Sequence, residues 1–304
     1  MVGAMKVLVT GAAGPVGSAI ESVLPTLHGD EVVSAPVDLL DPVAVAGHVE
    51  RHAPDGIVHS ALAPDWDRML RDRQYGWRTQ VESTRFLAEI ANRAGVPFVL
   101  VSSDWVFDGT QGPATEQTPP NPISLPGFLQ AAAEIVTLDR DGAVARVSAV
   151  NTARTGPDEP AASPYGSLDF VAALVDALEA GQPFTVWEAD DLNMIASPSL
   201  ASMCAEVIRA LLADRVSGIA HCCGADAVSR RELALAAVDA FELDASLLRF
   251  GRPPQPAPLA LPYDSSLDAD ETAKRLDVEL PGLARLLGAL SHERATGALT
   301  PFVE

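Results

Sequence analysis

Lys6-Val7-Leu8-Val9-Thr10-Gly11-Ala12-Ala13-Gly14-Pro15-Val16-Gly17 is the stretch that decides the fold. It reads as an apolar strand, a glycine turn and the start of a helix. Gly11 permits a tight turn after the strand. Gly14 lets the backbone approach a pyrophosphate, and Gly17 lets the helix pack closely on a sheet. Ala13, Pro15 and Val16 complete the turn, and the helix start offers free N–H groups to phosphates. The expectation is a bound NAD or NADP; the plainer reading is a glycine-rich turn of an α/β fold without a ligand. A second strand in such a fold often ends in an acid for the adenosine ribose. Here Val32-Val33-Ser34-Ala35 runs into Pro36, with neither acid nor Arg, so the choice between NAD and NADP is unreadable. Asp38, followed by Leu39, is the next adenosine contact in line.

Outward from this turn, the first half alternates strand and helix. Apolar runs at 6–10, 31–35, 56–60, 97–103 and 143–148 are strand candidates, with amphipathic stretches at 15–26, 42–52, 70–94 and 128–139 between them. Alternation of this kind predicts βαβ units with right-handed crossovers around a parallel sheet. Val7-Leu8-Val9 and Phe98-Val99-Leu100-Val101 are continuously apolar, as strands covered on both faces should be. Past residue 150 the pattern loosens. Residues 151–165 hold Gly156, Pro157, Pro160 and Pro164 and read as a loop. Helices are expected near 166–180, 199–213, 229–241, 268–275 and 280–290, and a strand at 218–222. The fold class is therefore α/β: a Rossmann-type, doubly wound parallel sheet over residues 1–150, with a smaller α/β substrate lobe over 151–304. The chain is free to cross back between the two.

Composition narrows the partners. The chain has 304 residues, 48% of them hydrophobic, enough for a full core without disulfides. A net charge of -20 repels nucleic acid and anionic membranes. Cys204, Cys222 and Cys223 form no disulfide framework, and no Cys/His spacing suggests a metal site. No basic-then-apolar leader precedes the first strand and no apolar run reaches the length of a membrane span, so a reducing cytoplasm is expected. A homodimer is left open.

Ser102-Ser103-Asp104-Trp105-Val106-Phe107-Asp108-Gly109 follows the fourth strand, and Pro119-Pro120-Asn121-Pro122 comes soon after. Together they resemble the extended short-chain dehydrogenase/reductase superfamily, and within it the dTDP-4-dehydrorhamnose reductase family, whose usual text is Ser-Thr-Asp-Tyr-Val-Phe-Asp-Gly. Pro54-Asp55, Ala94-Gly95-Val96, Arg146, Ser197-Pro198, Gly218-Ile219-Ala220-His221 and Leu267-Asp268 fall in the family's order. The resemblance implies reduction of a keto-sugar nucleotide, with a Tyr as proton donor, a Lys four residues on, and a Ser or Thr polarising the carbonyl. Ser103 matches that last role, and Ser102 falls among the implied cofactor contacts. Pro126 stands at the Tyr position and Gln130 at the Lys position. Tyr75, Tyr165 and Tyr263 are followed four residues later by Thr79, Asp169 and Leu267, so no shifted Tyr-x-x-x-Lys pair exists. The substrate-lobe Arg-Pro of the family reads Leu261-Pro262, and an Asn often found after the third strand reads Gln80, which keeps its place among the cofactor contacts.

Other side chains compete for the vacant chemistry. His59 ends the third strand beside Ser60-Ala61-Leu62, a loop expected to overhang the cofactor; it is a candidate proton donor or a hydrogen-bonded strand-end His. Asp104 is expected on an exposed rim beside Ser103. Trp105 is a candidate substrate wall, and Arg154, on a loop, a candidate phosphate contact, with Arg146 behind it. Two functions follow. One is an atypical NAD(P)-binding reductase acting on a polar, nucleotide-linked or secondary-metabolite substrate. The other is a non-catalytic cofactor-binding subunit that works with a catalytic partner, resembling the regulatory β subunit of methionine adenosyltransferase.

Overall fold

The computed structural model describes residues 3–35, 37–60, 65–153, 169–257 and 259–303. Strands β1 (Lys6–Thr10), β2 (Glu31–Ser34), β3 (Gly56–His59), β4 (Phe98–Ser103) and β5 (Ala143–Val147) join an edge strand, Gly218–Cys222. They form one parallel six-stranded sheet, in the spatial order edge strand, β5, β4, β3, β1, β2. From β1 the chain moves one way to β2 and the other way to β3. This switch opens a crevice beyond the carboxyl ends of the strands, where open α/β sheets bind ligands.

Both faces of the sheet are covered, which explains the continuously apolar strands. Val7, Val9, Val58 and Val99 point to one face, against Val16, Ile20 and Val23 of helix α1 (Pro15–Val23) and Met203, Ile208 and Leu211 of helix Ala201–Ala213. Leu8, Ile57 and Leu100 point to the other, against Val45 and Val49 of helix α2 (Pro42–His52) and Leu87 and Ile90 of helix Ser83–Ala94. The alternation along β1 is the strand's period of two read out as two cores.

Three local differences from the sequence reading have clear causes. The amphipathic stretch 70–94 is not one helix: it is divided at Asp72, whose extended backbone (φ -123, ψ 92) ends helix Trp66–Arg71 and caps helix Arg73–Trp77 by accepting from Tyr75 N–H. The helix expected from 128 begins earlier, spanning Leu125–Leu138 with Ser124 as its N-cap. Pro126 lies in its first turn, where a missing N–H costs nothing, so it starts the helix rather than bending it. Short parallel pairs, Val150–Asn151 with Ser199–Leu200 and Phe184–Trp187 with Leu248–Gly251, were too brief to show a period. The sheet's edge strand comes from beyond residue 150, and helix Ala201–Ala213 packs on α1, so the second half of the chain returns to the first. Among the described residues no helix is long and apolar enough to cross a membrane.

Candidate functional site

The glycine turn sits at the carboxyl end of β1, on the crevice. Gly11 takes φ +75, and its carbonyl accepts from Gly14 N–H at 3.0 Å. Gly14 is the N-cap of α1, and no side chain caps that end. The first-turn N–H groups are therefore left for another acceptor. A Cβ built at Gly17 would stand 2.2 Å from the Gly11 carbonyl oxygen, so Gly17 is required for the helix to sit where it does. A Cβ at Gly14 would meet only that oxygen, at 3.5 Å. The fold itself thus leaves space over Gly14, and the uncapped amides beside it fit a pyrophosphate. Ala13, Pro15 and Val16 lie on this turn.

The remaining cofactor candidates are distributed around it. Asp38 turns its carboxylate onto its own loop, accepting from Leu40 N–H at 2.9 Å, with Leu39 packed against the α2 side of the core. Ser34, at the end of β2, donates its hydroxyl to Glu21 of α1. Ser60 is tied to β1 through the Thr10 carbonyl at 3.1 Å. Gln80 is buried on the turn Arg78–Glu82. Ala61, Leu62 and Arg154 lie outside the described residues.

The carbonyl side is built where β4 meets helix Leu125–Leu138. Ser103 Oγ donates to Gln130 Oε1 at 2.8 Å and accepts from Trp105 N–H at 3.2 Å. Its single proton is therefore committed to Gln130, one turn along the helix from Pro126. Pro126 is buried, and Gly127 is packed so tightly that a Cβ there would stand 2.1 Å from the Trp105 carbonyl oxygen. Gln130 thus engages the hydroxyl that the family resemblance offers as the carbonyl-polarising group.

Two candidate proton sources are withdrawn by their surroundings. His59 is 1% exposed, shares a 2.6 Å hydrogen bond between Nδ1 and Thr10 Oγ1, and lies against Phe98; burial pushes its imidazole down to about 4. It is a neutral strand-end histidine rather than a donor in the crevice. Asp104 is not on an exposed rim. It is 3% exposed and turned away from Ser103, its Oδ2 accepting from Ser148 Oγ at 2.8 Å and Ser265 Oγ at 2.6 Å. Burial pushes its carboxyl up to about 6, against those stabilising hydroxyls. Ser265 also accepts from Asn193 Nδ2 at 2.8 Å, so Asp104 anchors a polar seam between the sheet and the second half of the chain. Trp105 packs into that half, against the cluster of Leu192, Met194 and Leu261.

A second buried network lies beneath the site, and sequence reading missed it. Arg146, read as a phosphate candidate, is 0% exposed and makes a two-point pair with Glu134, Nε to Oε1 at 3.0 Å and Nη2 to Oε2 at 2.8 Å. Glu134 Oε1 also accepts from Ser102 Oγ at 2.6 Å, which draws Ser102 beneath the sheet's end rather than over it. Arg146 Nη1 approaches His221 Nε2 at 3.4 Å, and His221 Nδ1 bonds the Asp268 carbonyl at 2.7 Å. The available signal was the four-residue step from Gln130 to Glu134, which puts both on one face of the helix.

The family model described as the RmlD substrate binding domain matches residues 5–292. The chain belongs to that family. Like its dTDP-4-dehydrorhamnose reductase members, it has the extended short-chain dehydrogenase/reductase fold. Among RmlD-family structures, a hypothetical dTDP-4-dehydrorhamnose reductase from Sulfolobus tokodaii aligns with a TM-score of 0.73 at 26% identity, over 89% of this chain and 94% of that one. The dTDP-4-dehydrorhamnose reductase of Bacillus anthracis, solved in complex with NADP, aligns with a TM-score of 0.80 over 95% and 99% of the two chains, at 19% identity. Methionine adenosyltransferase 2 subunit beta from Xenopus tropicalis is 28% identical over 257 residues, 80% of this chain and 74% of the relative.

Proposed function

We propose that this chain binds a nicotinamide dinucleotide, NAD or NADP, and acts as a non-catalytic subunit that works through a partner protein. The observation that carries the reading is the Ser103–Gln130 hydrogen bond beside the buried Pro126. The position that would protonate a reduced carbonyl holds a residue with no proton to give, and the group that would polarise that carbonyl already has an acceptor. The other tyrosines and lysines offer no substitute among the described residues. Tyr75 is half-buried under Arg68, and Tyr263 is exposed. Lys6 pairs with Glu31, and Lys274 is an exposed helix residue near Asp270. The glycine turn and its uncapped helix support the dinucleotide half of the reading, as does the NADP complex of the Bacillus anthracis reductase. The subunit half draws support from the methionine adenosyltransferase relative, itself named as a subunit.

Calorimetric titration with NADH and NADPH tests the first half, with saturable heat expected. Incubation of the loaded chain with NADPH and dTDP-4-dehydrorhamnose tests the second. Loss of a general acid alone is worth about 10²–10⁴-fold in rate, so oxidation at background is expected. Robust turnover would replace this reading with the atypical reductase. Co-purification with a catalytic chain, whose kinetics change on adding this one, is the positive counterpart.

A further inference from the structure

The second strand has no acid of its own at its end, yet the fold brings one there. Ser34 closes β2 and donates its hydroxyl to the carboxylate of Glu21, which comes across from helix α1. The sheet register sets the level of this contact: Ser34 pairs with Val9, two residues before Gly11. The helix sets its direction. Glu21 lies four residues beyond Gly17, on the same face of α1. That face looks onto the glycine turn, because a Cβ at Gly17 would meet the Gly11 carbonyl and Ala12 Cα. Helical side chains lean toward the N-terminus. The Glu21 side chain therefore runs back toward the turn and ends beside the last residue of β2.

In a dinucleotide-binding sheet, an acid about twenty residues beyond the glycine turn accepts from the adenosine ribose 2′-hydroxyl, whereas a cofactor with a 2′-phosphate is met by an Arg. Here a serine holds that position and the acid is delivered from the neighbouring helix. Ser34 commits its one proton to Glu21, while the carboxylate keeps lone pairs for further donors. Both side chains are exposed, so a ligand can reach them. Asp38 does not compete, being turned onto its own loop by Leu40 N–H. Among the described residues no cation pairs with Glu21.

We propose that Glu21 is the ribose-binding acid of this chain, accepting from the adenosine 2′-hydroxyl, and that it selects NAD(H) over NADP(H). The inference rests on the dinucleotide binding proposed above. A 2′-phosphate would set negative charge against the carboxylate and would bring no hydroxyl proton to it. NADP(H) thus forfeits a charge-assisted hydrogen bond and meets a repulsion in its place.

Calorimetric titrations of the full chain with NADH and with NADPH, in one buffer, test it in the parent, Glu21→Gln and Glu21→Arg. The parent should bind NADH about tenfold or more tighter than NADPH. Glu21→Gln keeps the length of the side chain and removes its charge, so the two affinities should converge, NADPH gaining. Glu21→Arg should bind NADPH the tighter of the two, since a guanidinium suits a phosphate. Glu21 is exposed, so both variants should melt within about 2 °C of the parent. If Glu21→Arg fails to fold, Glu21→Gln gives the same reading. A merely structural role would weaken both dinucleotides together and leave their ratio as it was, and that result overturns the proposal. So does a parent that binds NADPH as tightly as NADH. A parent that binds neither dinucleotide refutes the dinucleotide reading itself, and this inference falls with it.

Discussion

Gly14 and Gly17 lie three residues apart on one turn, yet substitution should separate binding from folding. At Gly17 a methyl group would stand 2.2 Å from the Gly11 oxygen, 2.8 Å from its carbonyl carbon and 2.9 Å from Ala12 Cα. All three are backbone atoms and cannot rotate away. Helix α1 would have to lift, and Val16, Ile20 and Val23 would be pulled from the core with it. Overpacking of this kind costs about 1–3 kcal/mol or more. Gly14 differs on each point. Its backbone is extended (φ -81, ψ 166), which suits a β-branched residue, and its Cβ would make only an ordinary 3.5 Å contact. Losing Gly at an N-cap costs up to about 1 kcal/mol, largely offset by about 0.4–1 kcal/mol from a stiffer unfolded chain. Gly14→Val should therefore unfold in urea within about 1 kcal/mol of the parent, while Gly17→Ala loses most of a core contact. The same pair should behave in the opposite sense in titrations with NADH or NADPH. Gly14→Val should bind at least about tenfold more weakly, a loss of ~1.4 kcal/mol, because its side chain occupies the pyrophosphate's approach. Unchanged dinucleotide affinity in Gly14→Val would refute the assignment of the turn, and parental stability in Gly17→Ala would refute its geometry.

Three further outcomes follow from buried groups. Asp104 has its folded pKa raised from 3.8 to about 6, so its contribution is fully favourable below about pH 4 and is lost as pH rises through about 6. Asp104→Asn should therefore gain roughly 3 kcal/mol relative to the parent between those pH values, read as the difference between their urea midpoints across pH 4–8; a constant difference would discount the buried charge. Arg146→Met leaves Glu134 charged and unpaired, and should cost about 3–5 kcal/mol in chemical unfolding; a variant within about 1 kcal/mol of the parent would show that Glu134 finds another partner. Cys204 is fully buried with its thiol pushed up to about 12, and burial, followed by the neighbouring Cys204, raises the thiols of Cys222 and Cys223 well above the ordinary value. Native protein should leave all three unlabelled by a thiol reagent at pH 8, and labelling before unfolding would contradict the packing.

The legible parts of the fold were those whose signal is periodic or local. β1, the glycine turn, α2 and the Gly218–Cys222 strand could be read because each needs only its own residues: a short apolar run, a glycine forced by a close approach, or an Asp41 N-cap accepting from Val43 and Ala44 N–H. The altered acid positions were legible for the same reason, since Pro126 and Gln130 are read from one stretch of chain. What escaped was decided across the chain. Asp104 looked like a rim carboxylate because its neighbours in sequence are polar or lie on a loop. Its fate is set by Ser148 and Ser265, which lie 44 and 161 residues away. Arg146 looked available because the residues flanking it on β5 are apolar, while Glu134 reaches it from the preceding helix. Long-range partners of this kind leave no spacing to read.

That distinction bears on what the family-like residues around the site imply. Ser102, Arg146, His221 and Asp268 stand in family order, and taken as a set they resemble a retained active site. Their geometry gives each a structural reason to be there. Ser102 and Arg146 converge on Glu134, which ties the ends of β4 and β5 to helix Leu125–Leu138. His221 passes the contact to the edge strand and, through the Asp268 carbonyl, to the chain before helix Asp270–Leu276. This arrangement holds the helix bearing Pro126 and Gln130 against the sheet whether or not a proton is ever transferred there. A buried two-point ion pair resists loss of either partner far more than it adds to stability, so such residues report on the scaffold. The residues that report on chemistry are the ones at the surface of the crevice: the open turn at Gly14, and a Ser103 hydroxyl whose proton is already given to Gln130. On the function proposed above, the first would admit a ligand and the second would withhold a reaction, the combination expected of a protein that binds a dinucleotide without using it.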